Sequence, residues 1–459
     1  MAPPLDLSEV SPVGESRSAR IARGKALRKR VPRSSHAAWT PRRDRPDPIA
    51  LLEAADKARN PGLLPIRYGR MALSPFGFLR GAAPVMASDL STTPVTGLKV
   101  QLCGDAHLNN FGIFGTPERD QVFDLNDFDE TLPGPWEWDV KRLATSIVVA
   151  GRLNRYRPSH IRKAVRTALG TYRTLMLRFA RMRYLDIWYF HLDLKSPPLP
   201  VDRDLRDLIG RSVTKARRRT SFHAFPKTTR AVRGRPRIRD EPPLIAHYKD
   251  STADELSRSL YERYLTTIPD DRRMLLDRYR VVDVAQKVVG VGSVGLTCSV
   301  LLLLADRDLT DPLFLQMKQA TASALEPYLA PSPYPNHAER VVVGQHLIQE
   351  ASDVFLGWGR VGARDFYVRQ LRDMKFSFDI STLGLRHFLG QAELCGAALA
   401  RAHGRTGDPA EIGGYLGTRP LFEEAVTAFA EAYADQTERD HQALVKAIKS
   451  GRLPAAVNI

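Results

Sequence analysis

The sequence has 459 residues, of which 43% are hydrophobic and 26% are charged, a composition typical of soluble globular proteins with two or three domain-sized units. This composition excludes a generally disordered chain. No stretch approaches about 18 consecutive apolar residues, and the N-terminus lacks the apolar core of a secretory signal. We therefore expect a cytoplasmic protein that has no membrane partner.

The three cysteines are too few and too scattered for a structural role. Cys103, Cys298 and Cys395 lie far apart and form no CxxC pair or Cys/His cluster. The sequence therefore predicts neither a disulfide framework nor a structural zinc site, and we expect reduced, mostly buried thiols.

The net charge of +17 is concentrated in two stretches. Eleven Lys or Arg residues and one acidic residue lie between Arg17 and Arg45, and eleven with no acidic residue lie between Arg211 and Arg239. The first stretch mixes Arg with Pro and Ser and predicts an extended arm, whereas the second has scattered Pro, Gly and Thr and predicts a long loop or insertion. Such runs usually form solvated surface, but binding of nucleic acid or of nucleotide phosphates is an alternative.

The first half of the chain contains two short strands, each followed by polar residues, and then a helix. In chain order, the patterns predict a helix over 49–58, a strand over 98–102, a strand over 122–125 and a helix over 138–153. The first strand ends at Gly104, and the second runs directly into the sequence NDFDE. Carboxylate and amide side chains thus follow both strand ends.

The second half changes from strands to helices. From Asp283 onward the pattern is strand, glycine-rich turn and strand, followed by the strand-like segments PLFLQMKQA and DFYVRQLRDMK. Apolar residues then recur at helical spacing through Phe388, Ala392, Cys395 and Leu399, and the segment after Pro420 is strongly helix-forming. The predicted fold class is α+β.

The most informative stretch is GDAHLNN together with DLNDFDE. It supplies Asp105 and Asn110, five positions apart, and then Asp127 and Asp129 after the next strand. Such a set suits metal-assisted phosphoryl transfer, in which one carboxylate orients the attacking hydroxyl while an amide oxygen and a second carboxylate bind Mg²⁺. Taken singly, the same residue types are common turn formers after strands.

The glycine motif GVGSVG has two functional interpretations. Its glycines are Gly290, Gly292 and Gly295. A strand-turn-helix with an acidic residue about 20 positions on would suggest a dinucleotide site, although Asp306 and Asp308 come early for that role. A strand-turn-strand with a lysine on the next strand would suggest a flap over nucleotide phosphates, and Lys318 is placed for it. The pattern alone does not decide between them.

The motifs taken together resemble known families. GDxHxxN, then a strand, then Asp127 with Asp139 twelve positions later, looks like the catalytic half of the aminoglycoside-phosphotransferase and protein-kinase-like superfamily. More closely, GDAHLNNFG, NDFDETLPGPWEWDVKRLA, SPFGFLRG, KVVGVGSVG, FYVRQLRDMK and ARAHGRTGD together resemble an uncharacterised bacterial domain-of-unknown-function family, number 2252. That resemblance covers the chain from about Arg23 to the C-terminal helices.

The resemblance implies a role for each matching residue. Asp105 would be the catalytic residue, Asn110 and Asp127 the metal ligands, and Asp129 a further ligand. The three glycines and Lys318 would contact nucleotide phosphates, and Glu350 is the best-placed partner for that lysine. Cys103 stands where the phosphotransferases commonly have His.

The order of the motifs differs from that of an ordinary kinase-like chain, in which the glycine flap and lysine precede the catalytic loop. The resemblance therefore implies a two-lobed, circularly permuted kinase-like fold, with a strand-rich nucleotide lobe inserted in a helical lobe. The expected organisation is a basic arm over 1–48, helical-lobe parts over 49–205 and 379–459, a basic insertion over 206–241 and the nucleotide lobe over 242–378. A very short small lobe before Gly104 is the competing explanation, and Asp408 is a weak rival to Asp105.

The remaining polar and aromatic candidates are weaker. Residues that could contact phosphate or substrate are Arg80, His107, Arg369 and Arg372. His403 is interpreted as a helix-end capping residue and Trp136 and Trp138 as packing residues.

The sequence thus predicts an ATP- and Mg²⁺-dependent phosphotransferase that acts on a hydroxyl acceptor. Transfer of a nucleotidyl group by the same residues is an alternative. A noncatalytic nucleic-acid-binding or regulatory protein is the second hypothesis, and an NAD(P)-dependent oxidoreductase is a distant third.

Overall fold

The computed structural model describes residues 14–456 except 193, 195–202, 249–250, 289, 307–309 and 372–373. The protein is α+β, as the sequence predicts. No helix within the described ranges has the length and apolar content needed to span a membrane. All three cysteines are buried free thiols, as expected.

The helices of the first half of the chain are α1 (Arg17–Arg30), α2 (Pro48–Asp56), α3 (Leu64–Ala72), α4 (Pro75–Gly81), α5 (Ala83–Leu90), α6 (Trp136–Leu153), α7 (Pro158–Phe179), α8 (Tyr184–Trp188), α9 (Arg203–Arg217) and α10 (Ser221–Thr228). Those of the second half are α11 (Ser251–Leu265), α12 (Asp270–Leu276), α13 (His337–Ile348), α14 (Leu385–Thr406), α15 (Pro409–Leu416) and α16 (Leu421–Lys449). The helices expected over 49–58 and 138–153 are therefore present, with small shifts at their ends.

The strands are β1 (Lys99–Leu102), β2 (Phe111–Gly115), β3 (Gln121–Leu125), β4 (Leu132–Pro135), β5 (Thr229–Val232), β6 (Arg235–Ile238), β7 (Ile245–Ala246), β8 (Arg280–Lys287), β9 (Cys298–Leu304), β10 (Pro312–Ala320), β11 (Gly357–Val361) and β12 (Arg364–Gln370). The strands expected over 98–102 and 122–125 correspond to β1 and β3. The segment CSVLLLL, whose composition is compatible with either a helix or a strand, is the fully buried strand β9.

Strands β7 to β12 form one six-stranded antiparallel sheet in the order β11-β12-β10-β9-β8-β7. Both faces are covered. Leu260 and Tyr264 of α11 pack against one face with Leu301 and Leu315. The opposite face packs against α10 and β6, so the apolar content of β9 and β10 is buried on both sides.

The helical part surrounds two small antiparallel ribbons, β1–β4 and β2–β3. Helices α6, α7, α14 and α16 pack together, and their buried side chains share one core with the ribbons. Leu102 faces Leu132 in the first ribbon and Phe111 faces Leu125 in the second. These ribbons fix the ends of the loops that carry the predicted catalytic residues.

The expected extended N-terminal arm is wrong for the described residues, because about half of the first basic stretch is a docked helix. Helix α1 packs along α15. Arg20 Nη1 lies 2.9 Å from Asp408 Oδ2, and Arg28 Nε donates to the carbonyl oxygen of Tyr415 at 2.9 Å. Asp408 also caps α15 through the amide of Ala410. The sequence predicts that these arginines lie in a solvated arm. In the structure they bind to α15 and to its N-terminal cap, Asp408.

The second basic stretch is not the predicted long loop. Residues 211–239, which we call the basic unit, contain the end of α9, helix α10 and the β5–β6 hairpin. The unit is attached to the sheet through Ala224 and Ile238, which are buried against Val300 and Phe314. Small apolar residues spaced between the arginines provide this attachment, and they are easily overlooked in so basic a segment.

A buried ion pair joins the ribbons to the helical core. Arg401 Nη2 on α14 donates to Asp124 Oδ2 on β3 at 2.5 Å, and both side chains are fully buried. The same nitrogen donates to the carbonyl oxygen of Ile348, and Asp124 Oδ2 also accepts from the amide of Glu350. Removal of one charge would leave the other buried without its partner.

We therefore predict that Arg401→Met lowers the free energy of unfolding by about 3 to 5 kcal/mol, the usual cost of breaking a buried ion pair. Urea denaturation followed by circular dichroism measures this change. Arg181→Met, at an exposed arginine, is the matched control and should change stability little. Equal stabilities of the two variants would contradict a structural role for the pair.

Candidate functional site

The loop after β1 brings Asp105 and Asn110 together. Asn110 Nδ2 donates to the carbonyl oxygen of Asp105 at 2.6 Å, which leaves the Asn110 amide oxygen for another partner. Gly104, just before Asp105, has a φ of +82°, and a Cβ there would lie 2.3 Å from the carbonyl oxygen of Glu130. Only glycine fits this turn, so the close approach of the two loops depends on it.

The end of β1 is held by a carboxylate from helix α6. Asp139 Oδ2 accepts from the amide of Cys103 at 2.7 Å and Oδ1 from the amide of Gly104 at 3.0 Å. His403 Nε2 lies 3.4 Å from Asp139 Oδ2, and its Nδ1 is 2.8 Å from the hydroxyl of Tyr172. His403 lies in the last turn of α14, as expected, but its buried side chain supports Asp139 and does not cap the helix.

Asp105 faces one strong cationic partner. Arg142 Nε on α6 donates to Asp105 Oδ1 at 2.5 Å, and its Nη2 contacts the same oxygen. His107 Nε2 lies 3.6 Å from Asp105 Oδ2. Burial raises the pKa of Asp105 to about 7, against the opposing effect of Arg142. Burial also lowers the pKa of His107, so that this imidazole stays neutral beside the carboxylate.

The second loop is tied to the sheet by a lysine. Lys318 Nζ on β10 donates to Asp129 Oδ2 at 2.5 Å and lies 3.8 Å from Asp127 Oδ1. Asp129 Oδ1 accepts from the hydroxyl of Tyr367 on β12 at 2.9 Å. Arg340 of α13 donates to the carbonyl oxygen of Asp129, so that three elements converge on one loop.

The two carboxylates of this loop differ in their electrostatics. Burial alone would raise the pKa of Asp129, but Lys318 and the hydroxyl of Tyr367 bring it down to about 2. Burial and the neighbouring Asp129 raise the pKa of Asp127. Burial by itself would lower the pKa of Lys318, but the neighbouring Asp127 and Asp129 carboxylates raise it above its usual value. Asp129 is thus committed to Lys318, whereas Asp127 lacks such a close cationic partner.

The glycine motif forms a strand-turn-strand, with a single turn of 3-10 helix over Val291–Ser293 between β8 and β9. Ser293 Oγ donates to Asp129 Oδ2 at 3.0 Å, which joins the turn to the acidic loop. Gly295 has a φ of +94°, and a Cβ there would lie 2.8 Å from the Cβ of Arg59. At Gly290, by contrast, the space is open. The dinucleotide-type strand-turn-helix is therefore not formed.

The turn rests on the helices that follow the first basic stretch. Arg67 Nη1 donates to the carbonyl oxygen of Val291 at 2.6 Å, and Arg59 Nη1 donates to that of Val294 at 2.7 Å. Both arginines contact one oxygen, Asp56 Oδ1, with Nε distances of 3.1 and 2.7 Å respectively. The guanidinium groups of Arg59 and Arg67, which share the Asp56 carboxylate, thus hold the backbone of the glycine turn in place.

A cavity of about 490 Å³ lies between these parts. Its lining includes Asp105, Asn110, Asp127, Asp129, Gly292 and Ser293. The structure therefore brings the acidic residues of the first half and the glycine turn of the second half to one cavity, of the size typical of ligand sites. Lys318 reaches its edge through Asp129.

Glu350 does not pair with Lys318, and that prediction is wrong. The Glu350 carboxylate accepts from the amide of Leu192 at 3.1 Å and lies in the field of Arg401 and Asp124. Arg340 is the charged residue of α13 that reaches the site. Arg369 donates to the carbonyl oxygen of Asn126 and so braces the acidic loop. Arg372 lies outside the described residues.

Several residues at the site were missed in the sequence. Arg142 follows Asp139 by one helical turn, so the two side chains lie on the same side of α6, and this spacing is the signal that could have identified it. Asp56, Arg59 and Arg67 carry no such signal, since they lie in a polar segment whose contacts with residues 291–294 arise only on folding. Trp136 and Trp138 are buried packing residues, as expected.

The oxygen donors suit an open Mg²⁺ site. Within the described ranges, no three His, Cys, Asp or Glu side chains converge as a complete metal cage. Mg²⁺, however, is commonly held by one or two protein oxygens together with water and phosphate. The Asp127 side chain is 36% exposed, and both it and Asn110 line the cavity. These two residues fit the ion better than Asp129, whose two oxygens are already bonded.

The position of Glu350 leads to a pH-dependent prediction. Burial raises the pKa of Glu350 to about 7, so its contribution to stability is present in full below about pH 4.5 and is lost as the pH rises through 7. Glu350→Gln keeps an oxygen for the amide of Leu192 and removes the charge. We predict that this variant is as stable as the native protein in acid and more stable by roughly 1 to 3 kcal/mol at about pH 8.

Urea denaturation across the same pH range tests this, with Glu438→Gln at a half-exposed surface glutamate as control. The free energy of unfolding of this control should vary with pH as it does in the native protein. Parallel profiles for Glu350→Gln and the native protein would contradict the assignment of Glu350 as a buried structural carboxyl.

Residues 59–447 match the family model described as an uncharacterized protein conserved in bacteria, DUF2252. No curated protein and no solved structure matches the chain. The family match extends from Arg59 to the last turn of α16, and it includes the acidic loops and the glycine turn that line the cavity. The chain belongs to the DUF2252 family.

Proposed function

We propose that this protein is an ATP- and Mg²⁺-dependent phosphotransferase that acts on a hydroxyl acceptor. One observation carries the proposal: the carboxylate and amide groups at 105, 110 and 127 share a single cavity with the glycine turn. Phosphoryl transfer needs these components on opposite sides of a triphosphate, because catalysis consists mostly of positioning and charge stabilisation.

The spacing and connections of the site residues support this assignment. Asp105 and Asn110 have the five-residue separation of the catalytic-loop Asp and Asn of kinases, and Asp127 follows on the next loop. Lys318 stands on the strand after the glycine hairpin, as does the phosphate-binding lysine of kinases. Helix α13 follows that strand. In kinases the corresponding helix carries a glutamate that pairs with the lysine, whereas here its Arg340 donates to the carbonyl oxygen of Asp129 in the loop that carries Asp127.

A circularly permuted, two-lobed kinase-like fold accounts for the order of these parts. Strands β7 to β12 with α11 and α13 would form the nucleotide lobe, and the helical body would carry the catalytic loops. The N-terminal helices that support the glycine turn pack with the end of α16 in one core, which includes Tyr68 and Leu444. This contact between the N-terminal helices and α16 supports the permuted arrangement.

Each side chain has a distinct task in the proposed reaction. Asp105 positions the acceptor hydroxyl and accepts its proton, and Arg142 fixes the orientation of the carboxylate. Asn110 and Asp127 would hold Mg²⁺, which when bound neutralises charge on the phosphate oxygens. Lys318 shifts from the carboxylates toward the incoming phosphates. Transfer of a nucleotidyl group is the variant of this proposal in which another phosphate faces the acceptor.

We predict that Asp105→Asn reduces Mg²⁺- and ATP-dependent transfer by about 10²- to 10⁴-fold, the usual contribution of a general base. Basal hydrolysis of ATP, with water as the acceptor, provides the assay. Calorimetry with Mg²⁺ and a non-hydrolysable ATP analogue should show nucleotide binding within about threefold of the native value, because Asp105 does not hold the metal.

The matched control is Asp271→Asn, at an exposed aspartate of α12. It should leave both hydrolysis and nucleotide binding unchanged. Hydrolysis by Asp105→Asn at the native rate would refute the role of Asp105, and absence of nucleotide binding to the native protein would refute the phosphotransferase proposal as a whole.

The exposed basic unit favours a second candidate function, noncatalytic binding of nucleic acid. Arg217, Arg218 and Arg233 are exposed, and residues 211–239 contain no acidic side chain. Arg230 pairs with Asp240 outside the unit, but at 3.3 Å and at the exposed surface this pair neutralises little. A nucleic acid would be attracted through its phosphates without regard to sequence.

We predict that binding of duplex DNA, if the basic unit provides it, weakens with salt with a slope of about −0.9 per phosphate contact. The double variant Arg217→Gln/Arg218→Gln should reduce the magnitude of that slope by about 2, as measured by fluorescence anisotropy at several salt concentrations. Arg166→Gln/Arg181→Gln removes the same charge from another exposed surface and is the control. Equal slopes for the two double variants would exclude the basic unit as the binding surface.

A further inference from the structure

We propose that the acceptor of the transferred group is itself an anion, a hydroxyl compound that carries a phosphate or carboxylate group bound by Arg80. The inference rests on the proposed phosphotransferase function and adds the chemical class of the acceptor.

Arg80 is a cavity-lining arginine without a partner. It stands in the last turn of α4 and lines the cavity that contains Asp105. Its Nε is buried and has no hydrogen-bond partner, and the described residues give the guanidinium no ion pair. A guanidinium nitrogen that is buried without an acceptor is costly, so an anion that arrives with a ligand would complement Arg80.

The other arginines of the cavity are already committed. Arg59 and Arg67 share Asp56 and donate to the carbonyl oxygens of the glycine turn, and Arg142 is bound to Asp105. These three guanidinium groups therefore stabilise the glycine turn and the orientation of Asp105. Arg80 is therefore the guanidinium, among those described around the cavity, that is left to bind a ligand.

The carboxylates of the cavity do not use up the charge of Arg80. Asp129 is bound by Lys318, Asp105 by Arg142, and the Glu130 carboxylate accepts from the amide of Ala324 at 2.6 Å. Asp127 would be neutralised by the metal. With these pairs made, none of these carboxylates is in an ion pair with Arg80 among the described residues.

The position of Arg80 favours the acceptor over the nucleotide. Arg142, which binds Asp105, also donates from Nη2 to the carbonyl oxygen of Leu79 at 2.9 Å, so the turn of α4 that carries Arg80 is joined to the Asp105 side of the cavity. Asp105 is the residue proposed to orient the acceptor hydroxyl. An anionic group held by Arg80 would thus place a nearby hydroxyl at Asp105, whereas Lys318 and the metal ligands lie toward the phosphates.

The remaining wall indicates a small acceptor. It is formed by Ala54 and Ala55 of α2 and Ala58 just after it, together with Leu296 and Tyr328. A cavity of about 490 Å³ with an apolar wall and one unpaired guanidinium suits a small molecule with an anionic end. Arginine is well suited to either anion because its planar donor fork matches both phosphate and carboxylate.

Inorganic phosphate and acetate are the probes that test the inference. Each would be titrated by calorimetry into the full-length protein already saturated with Mg²⁺ and a non-hydrolysable ATP analogue, so that the nucleotide phosphate positions are filled. We expect phosphate or acetate to bind the native protein, Arg80→Gln to weaken that binding at least tenfold, and the analogue to bind both proteins within about twofold. Arg80→Lys, which keeps the charge, should recover part of the binding.

Arg181→Gln is the matched control, and thermal unfolding without ligand checks that each variant is folded. If Arg80→Gln does not fold, the comparison of Arg80→Lys with the native protein takes its place, and a weakening of at least threefold is then the supporting result. Neither anion binding to the loaded native protein, or equal binding to the variants, would overturn the inference. Equal loss of anion and nucleotide would also overturn it, since Arg80 would then be a nucleotide ligand.

Failure of the nucleotide analogue to bind the native protein is a separate outcome. It would refute the phosphotransferase proposal and, with it, the acceptor assignment, even if anions still bound at Arg80.

Discussion

The contact of Lys318 with Asp127 and Asp129 is the interaction on which the rest of the site depends. It joins a strand of the six-stranded sheet to a loop of the helical body, with Lys318 Nζ 2.5 Å from Asp129 Oδ2 and 3.8 Å from Asp127 Oδ1. The lysine side chain is almost fully buried, so it would be costly there without these carboxylates. The pairing therefore fixes how the two parts face each other.

The same interaction explains why the cavity has both acidic and basic walls. Ser293 of the glycine turn and Tyr367 of β12 also donate to Asp129, which makes this carboxylate the centre of a network. Because Asp129 is occupied in this way, Asp127 and Asn110 are left to face the cavity.

The sequence allowed much of the acidic side to be predicted, because chemistry-bearing residues follow short apolar strands at fixed spacing. Asp105, Asn110 and Asp127 line one cavity, and Asp139 supports the backbone before Asp105. The α+β class, helices α2, α6, α14 and α16 and strands β1, β3, β8, β10 and β12 also follow from hydrophobic periodicity. These features are local, and local patterns are what a sequence displays most directly.

Features that depend on contacts between distant parts of the chain could not be predicted from local sequence patterns. Helix α1 was missed because its arginines find their carboxylate and carbonyl partners on α15, almost 400 positions later. Glu350 was assigned to Lys318 by chain order, yet the backbone after α13 turns it toward Arg401. The roles of Arg59 and Arg67 likewise depend on folding, because their hydrogen bonds to the glycine turn form only when the N-terminal helices contact residues 291–294.

A crystal structure of the protein with Mg²⁺ and a non-hydrolysable ATP analogue tests the central claim most directly. We expect one metal ion bound by Asn110 and Asp127, with the triphosphate between that ion and the turn at Gly292 and with Lys318 on a phosphate oxygen. A nucleotide bound on another surface, with Lys318 still held by Asp129, would contradict the account.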